Sequence, residues 1–303
     1  MAVLGWAAIV AQHLSTDTRM YLTAPSAGLP PFERPAIPAF VRTDSELRAT
    51  LGVAGGRTSA LRVREAGALR LRFPKVAGDC EGIILNTAGG IAGGDNQTLA
   101  FTVGEGATAS LTTQSAEKVY GSDGELATIV TTLDLGSHAN LAWLPQEAIL
   151  FDRARLKRQL DVTMAATATL TIKEGVVFGR TARGERMTSG LFHDRWRIRR
   201  DGRLILAEDV RLDGNIAGQL EHRAIGNGAC AIATIVHVSP RAHDQLEAVR
   251  EVMRSASCDA GGSAWNGMLV IRLAGPEPHI VRAASARILA LLLPAVSPRI
   301  WSC

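Results

Sequence analysis

From Ser45 onward, apolar and polar residues alternate with a period of two. TLAFTV (98–103), ATASLTT (107–113), LATIVTTLDL (126–135) and QLDVTMAATATLTI (159–172) are rich in threonine and valine, and Gly-containing turns separate them. Such alternation puts successive side chains on opposite faces of a pleated strand, so these segments predict half-buried β-strands. Further strands are expected at 60–64, 68–73, 82–86, 176–180, 195–199, 203–212, 230–238 and 268–273. No strand in this region is followed by a clear crossover helix, which argues against a doubly wound parallel sheet.

A faint internal repeat runs through the strands. GATASLTTQ carries Ala109 and Leu111, GSHANLAWLPQ carries Ala139 and Leu141, and MAATATLTIKE carries Ala168 and Leu170. The alanines are spaced 30 and 29 residues apart (109 to 139, 139 to 168). An Ala-x-Leu tripeptide also recurs by chance in an alanine-rich chain. As a true repeat it predicts stacked β units, in a β-solenoid or a sandwich-like fold of meanders.

The pattern changes to a helical period twice near the end. Ser239-Pro240 reads as an N-cap followed by a first-turn proline. Leu246, Val249 and Met253 then form one stripe, predicting a helix near 240–257. SARILALLLP predicts a second helix near 285–293, buried or docked into a partner's groove. The fold class expected is therefore mainly β, with stacked strands and two C-terminal α-helices. At the other end, AVLGWAAIVA (2–11) is apolar but too short to span a bilayer. APSAGLPPFERPAIPAF (24–40) holds five prolines and reads as an extended arm. Residues 1–44 are expected to form a peripheral, poorly ordered arm, and residues 45–303 a single β domain.

Composition narrows the function classes. A chain of 303 residues with 47% apolar residues can bury a large core, and only 5% aromatics makes that core aliphatic. The net charge is +4, yet just four of 33 basic residues are lysines (Lys75, Lys118, Lys157 and Lys173). This excess points to a basic face for an acidic protein partner more than to nucleic acid. Cys80, Cys230, Cys258 and Cys303 lie far apart with no CxxC pair, as reduced thiols in a cytoplasmic protein would.

NTAGGIAGGD (86–95) invites a nucleotide reading, which its spacing rejects. A dinucleotide fingerprint starting at Gly89 needs glycine at 91, where Ile91 stands, and one starting at Gly90 meets Ala92. No Gly-Lys-Ser/Thr P-loop is present, and the stretch leads into a strand rather than a helix N-terminus. The glycines instead suit a tight inter-strand passage, with Asn86 and Asp95 capping the turn through their side chains.

NTAGGIAGGD, TTQSAEKVY, WLPQEAILFD, GRTARGE and a terminal PRIW occur here in the order found in the UreD (UreH) family of urease accessory proteins, which the chain resembles over roughly residues 45–301. The resemblance implies a mainly β scaffold rather than an enzyme. It implies binding to apo-urease and to the accessory proteins UreF and UreG, the latter a GTPase that supplies nickel. Their assembly fills urease's dinuclear nickel site, which needs a carbamylated lysine. Two features depart from the family pattern. The proline-rich arm is not part of it, and Gly121 stands where arginine is common, so the resemblance does not carry a charge contact over to that position.

A metal-delivery role makes demands that the residues can be read against. The seven histidines are scattered with no HxH pair, so a tight nickel store and a tightly bound cofactor are not expected. Transient passage of Ni²⁺ needs only weak, exchangeable carboxylates. Glu117 and Glu147 lie eight residues past Ala109 and Ala139, and Glu174 lies six past Ala168, which keeps the same strand face. These three, with Asp95 and Glu185 nearby, are the candidate transit path. The adjacent cations Lys118, Lys173 and Arg183 favour the plainer reading of solvated surface acids.

Two basic stretches, RARLKR (153–158) and RWRIRR (195–200), could bind nucleic acid. The second also fits a strand with Trp196 and Ile198 inward and Arg195, Arg197 and Arg199 in water, where such cations discourage edge-to-edge aggregation. There is no GxSxG elbow, HExxH or fixed Cys–His signature. The competing hypothesis is a β-fold carbohydrate-active enzyme using a carboxylate pair such as Glu147 and Asp152. No membrane or nucleic-acid partner is expected.

Overall fold

The computed structural model describes residues 42–74, 80–293 and 301. The expected arm at 1–44 lies outside the described residues except for Arg42, Thr43 and Asp44, and the PRIW motif is described only at Trp301.

The alternating segments form ten parallel strands that wind through four rungs. The first rung is β4 (Cys80–Asn86) and β5 (Asn96–Val103), with β1 (Asp44–Ala54), β2 (Arg57–Ala66) and β3 (Leu69–Arg72) at its edge. The second is β6 (Thr108–Thr113), β7 (Glu117–Val119) and β8 (Ala127–Leu135). The third is β9 (Asn140–Trp143), β10 (Ala148–Leu150) and β11 (Arg155–Met164), and the fourth is β12 (Thr169–Phe178) and β13 (Ser189–Arg200). Like strands stack in parallel: β4, β6, β9 and β12 on one face, β5, β8, β11 and β13 on the other. A narrow third face joins them, where β7 pairs with β10 and β10 with the end of β12. This is a β-solenoid-like coil.

Antiparallel strands finish the sheets. β14 (Arg203–Asn215) pairs with β13 and completes a seven-stranded sheet ordered β14-β13-β11-β8-β5-β1-β2. β15 (Ala231–Val238), β16 (Asp259–Trp265) and β17 (Met268–Gly275) extend the opposite sheet from β12 in the order β12-β15-β17-β16. Both parallel arrays are thus flanked by antiparallel strands.

The repeat is real, but its first copy is displaced by two residues. Ala107, Ala139 and Ala168 are the equivalent, fully buried positions of the inter-rung turns, and their amides donate to the carbonyls of Gly104, Gly136 and Ala165. The carbonyls of Ala107 and Ala139 in turn accept from Asn140 and Thr169 on the next rung, each at 2.8 Å. The alanines step by 32 and 29 residues (107 to 139, 139 to 168), not 30 and 29. A slip of two keeps inward residues inward, so the alternation alone cannot detect it.

Other boundaries also moved. QLDVTMAATATLTI is not one strand: it covers the end of β11, a turn and the start of β12, and the 176–180 segment is the tail of β12. β1, β7, β9, β10 and β16 carried no strand signal, four of them being seven residues or shorter. The two C-terminal helices are present as α2 (Leu246–Arg254) and α3 (Pro278–Leu292), and a further short α1 (Ile216–Glu221) is capped by the Asn215 side chain accepting from the Gly218 amide. Ser239 caps a turn rather than α2, its side chain accepting from the Arg241 amide. α3 starts seven residues ahead of Ser285, at Pro278, which occupies the first turn. The Ser285 hydroxyl donates to the Val281 carbonyl inside the helix, so it is no N-cap.

Packing follows from parity. Between the sheets lie Leu47, Phe101, Leu111, Leu133, Leu141 and Ile198, all essentially inaccessible, with Phe101 and Trp143 in ring contact. Under the narrow face, Ile91, Val119, Leu150 and Phe178 stack in one column, one per rung. On the outer side of β15 and β17, Val281, Ala284, Ile288 and Leu292 of α3 pack onto Ile235 and Ile271. The apolar run ILALLL therefore covers the protein's own sheet.

Stability should track rung position. Leu141→Ala, in the third rung and 0% exposed, should cost about 2–5 kcal/mol in urea unfolding. Leu61→Ala, on edge strand β2 and 58% exposed, should stay within about 0.5 kcal/mol.

Candidate functional site

The two sheets do not close completely on apolar side chains. Between the core and the column under the narrow face lies a cavity of about 160 Å³, bordered by Gln97, Thr131, Trp143, Arg158, Glu174 and Asp194. Glu117 and Asn86 line it toward the narrow face, and the exposed Gly89, Gln114, Ser115 and Lys118 bound its opening.

Register explains why these groups meet. On the seven-stranded sheet Gln97, Ile129, Arg158 and Asp194 pair across β5, β8, β11 and β13, so all four point inward in one row. From the opposite wall, Glu174 of β12 reaches this row. Arg158 Nη1 donates to Glu174 Oε2 at 2.7 Å and Nη2 to Asp194 Oδ2 at 2.5 Å, while Trp143 Nε1 donates to the other Glu174 oxygen at 2.9 Å. The guanidinium also lies 5.4 Å from the centroid of the Phe192 ring. Burial acts to lower the Arg158 pKa, but the Asp194 and Glu174 carboxylates more than offset it and hold the guanidinium charged. Burial pushes the Glu174 carboxyl up against the pull of Arg158, with Asp194 adding like-charge repulsion.

Glu117 sits apart from that network. Its carboxylate accepts from Asn86 Nδ2 at 3.1 and 3.2 Å, and burial raises its pKa to about 7. Near neutral pH it is therefore close to half-protonated and can exchange a proton for a cation. Among the described residues, no group of three or more His, Cys, Asp and Glu side chains is arranged to hold a metal ion.

The other three candidates stand elsewhere. Glu147 is one residue out of phase: β10 aligns Ala148, not Glu147, with Glu117, and the odd step sends Glu147 to the outside of the sheet. There it pairs with Arg282 of α3 and lies near Lys173, a buried amine whose pKa burial lowers and whose Nζ sits 5.3 Å from the Trp301 ring centroid. Asp95 closes the glycine-rich corner, accepting from the amides of Thr43 and Ala92, both at 2.7 Å, and Asn86 accepts from Ala88 at 3.0 Å. Both ends of that stretch cap it as the sequence suggested. Glu185 binds Arg180 and the Asp152 amide, which fixes the 3-10 turn at Thr181–Arg183.

Asp152 is occupied as well, accepting from the Thr188 amide at 2.7 Å, the Thr188 hydroxyl at 2.8 Å and the Ser189 amide at 3.2 Å. These hydrogen bonds outweigh burial and lower its pKa, and the Arg282 contact likewise lowers that of Glu147. Neither carboxyl of the supposed glycosidase pair has the raised pKa its general acid requires. RWRIRR matches its strand reading, with Trp196 and Ile198 buried and Arg195, Arg197 and Arg199 on the outer face, but β13 is an interior strand and guards no edge. At Gly121 an added Cβ would sit 2.6 Å from the Asp152 carbonyl, so an arginine there would have to displace the corner.

Arg158 and Asp194 went unnoticed in the sequence because they lie in or beside surface-like charge runs. The signal was parity: Arg158 falls between Leu156 and Leu160, and Asp194 between Phe192 and Trp196, all inward positions. A charged residue on the apolar phase of a strand marks an internal pair.

Comparison with known proteins follows the same span. The family model described as "UreD urease accessory protein" matches residues 43–302. "Urease accessory protein UreD" of Methylobacterium sp. strain 4-46 is 48% identical over 269 residues, covering 86% of this chain and 95% of the relative. "Urease accessory protein UreD 1" of Methylobacterium radiotolerans is 47% identical over 271 residues, with 88% and 94% covered. "Urease accessory protein UreD 3" of Methylorubrum extorquens strain PA1 is 44% identical over 290 residues, with 92% and 97% covered.

Two measurements probe the cavity walls. Removing the central cation with Arg158→Met strands two buried carboxylates and should cost about 3–5 kcal/mol by chemical denaturation. Between pH 4.5 and 7 folded Glu117 holds a proton that the unfolded chain has released, so its stabilising contribution is present below 4.5 and lost as pH rises through 7. Buried His237, lowered to about 4, acts oppositely: its contribution is present above 6.5 and lost as pH falls toward 4. The wild-type stability minus that of Glu117→Gln isolates the first effect and should fall from pH 5 to pH 8 in urea midpoints.

Proposed function

We propose, from the premise that this chain belongs to the UreD family of urease accessory proteins, that it matures urease as a non-catalytic scaffold whose inner cavity gives passage to nickel. In this reading it binds apo-urease together with UreF and UreG in the cytoplasm, and Ni²⁺ is cargo rather than a resident cofactor. Among the described residues no helix is long and apolar enough to cross a membrane.

The observation that carries the reading is Glu117 beside the opening of an otherwise buried, carboxylate-walled cavity, with a pKa of about 7. Nickel prefers nitrogen and oxygen donors, and a route must bind it weakly enough to release it. A single carboxylate poised between protonated and ionised forms meets that need: a cation displaces the proton on entry, and a proton displaces the cation on exit. Further in, Arg158 balances Glu174 and Asp194, so no large negative charge traps the ion. The amide and hydroxyl of Gln97 and Thr131 supply further neutral oxygens.

The test is urease maturation in cells that co-express the accessory proteins with Glu117→Gln in this chain. Nickel bound per purified urease should drop several-fold, while pull-down with UreF and UreG stays at the wild-type level. Unchanged nickel content with an intact complex would remove the cavity from the route, and failure to recover either partner would sink the scaffold reading.

A further inference from the structure

The outer side of the narrow face carries a second concavity that the cavity reading does not use. It is a groove of about 470 Å³ between the 3-10 turn at Thr181–Arg183 and the start of α3. Its floor is apolar, with Ile149, Val177 and Pro278, and its lining holds four cations, Lys118, Arg180, Arg183 and Arg282, against one carboxylate, Glu147. Arg180 is paired with Glu185 and Arg282 with Glu147. Lys118 and Arg183 are exposed, and among the described residues neither has an ion-pair partner within 4.0 Å. The first turn of α3, at the positive end of the helix dipole, contains no acidic side chain, and the carboxylate of its N-cap residue Glu277 lies 3.1 Å from His279 Nδ1.

We propose that this groove docks an extended acidic peptide segment of a partner protein, with aliphatic side chains seated on the floor and carboxylates reaching Lys118 and Arg183. Charge selects this occupant. A second copy of a chain with net charge +4 would bring more cations to a positive site. A nucleic acid would need open ring faces, yet Arg180 covers Phe151 at 4.5 Å, and Tyr120 packs edge-on against the same ring at 5.1 Å. The apolar floor gives a peptide what a free inorganic anion could not exploit. The inference stands apart from nickel transit, and its readout involves neither metal nor urease.

The test measures fluorescence anisotropy of a short labelled peptide of glutamate and aspartate with a leucine at every third position, titrated with the full chain. Saturable binding is expected, weakening as salt is raised. The exposed pair Lys118→Glu with Arg183→Glu should weaken it roughly tenfold, as reversal of two exposed ion pairs worth under about 1 kcal/mol each predicts. Lys118→Arg with Arg183→Lys should preserve binding, and an unchanged thermal midpoint in both variants keeps the comparison about the surface. The proposal is overturned by absence of saturable binding, or by affinity indifferent to charge reversal. It is equally overturned by a leucine-free polyglutamate binding as tightly, or by single-stranded oligonucleotide of equal charge binding tighter.

Discussion

Parallel rung-on-rung pairing is the constraint from which the rest of this structure follows. Each inward position on one rung is held directly over its counterpart on the next, so side chains are selected in columns and not one by one. Where a column is apolar, as with Ile91, Val119, Leu150 and Phe178, it becomes core. Where a column turns polar, the buried groups have only each other to bond with. In the row of Gln97, Ile129, Arg158 and Asp194 the last two do so, and Arg158 is the keystone because one planar guanidinium serves both Asp194 beside it and Glu174 from the opposite wall. No single rung builds the cavity wall; three successive turns of the coil contribute a charge to it.

The same constraint decides what could be read in the chain. Long strands with clean alternation, such as β5, β8 and β13, were visible because both faces of each strand carry a consistent message. The three- and four-residue strands β7, β9 and β10 hold too few positions to establish a period. Glu117 and Glu174 were found on the cavity, but Glu147 was grouped with them by an equal count of eight residues, whereas the step between rungs drops from 32 (Leu111 to Trp143) to 31 (Glu117 to Ala148), and that single residue inverts the face. On a strand, distance along the sequence matters less than whether it is odd or even. The Arg158 pair was legible in principle, since a charge on the apolar phase is an anomaly, yet RARLKR reads at first sight as a solvated basic run. Helix starts failed for a different reason: serine competes for turns as well as caps, and both Ser239 and Ser285 spend their side chains in other local hydrogen bonds.

The narrow face also joins two regions that chemistry would keep apart. β7 turns Glu117 into the cavity and Lys118 out to the groove, and Lys118 borders both. With only three residues per strand and one pairing neighbour on each side of β10, this wall is thin. The groove and the cavity therefore share one short element, β7, with Glu117 on its inner side and Lys118 on its outer side.

The glycine-rich corner at the first rung has a consequence for how such chains should be compared. A Cβ on Gly90 would lie 2.5 Å from the Tyr120 ring, and one on Gly93 would lie 2.7 Å from the Glu125 carbonyl, both on the rung above. These glycines set the pitch of the coil at its first turn, as the teeth of a gear set the spacing of a chain. The most motif-like segment of the sequence is thus a mechanical spacer. A side chain added at either glycine would be felt as a loss of clearance between neighbouring turns, while Asn86 at the head of the same stretch holds the carboxylate of Glu117.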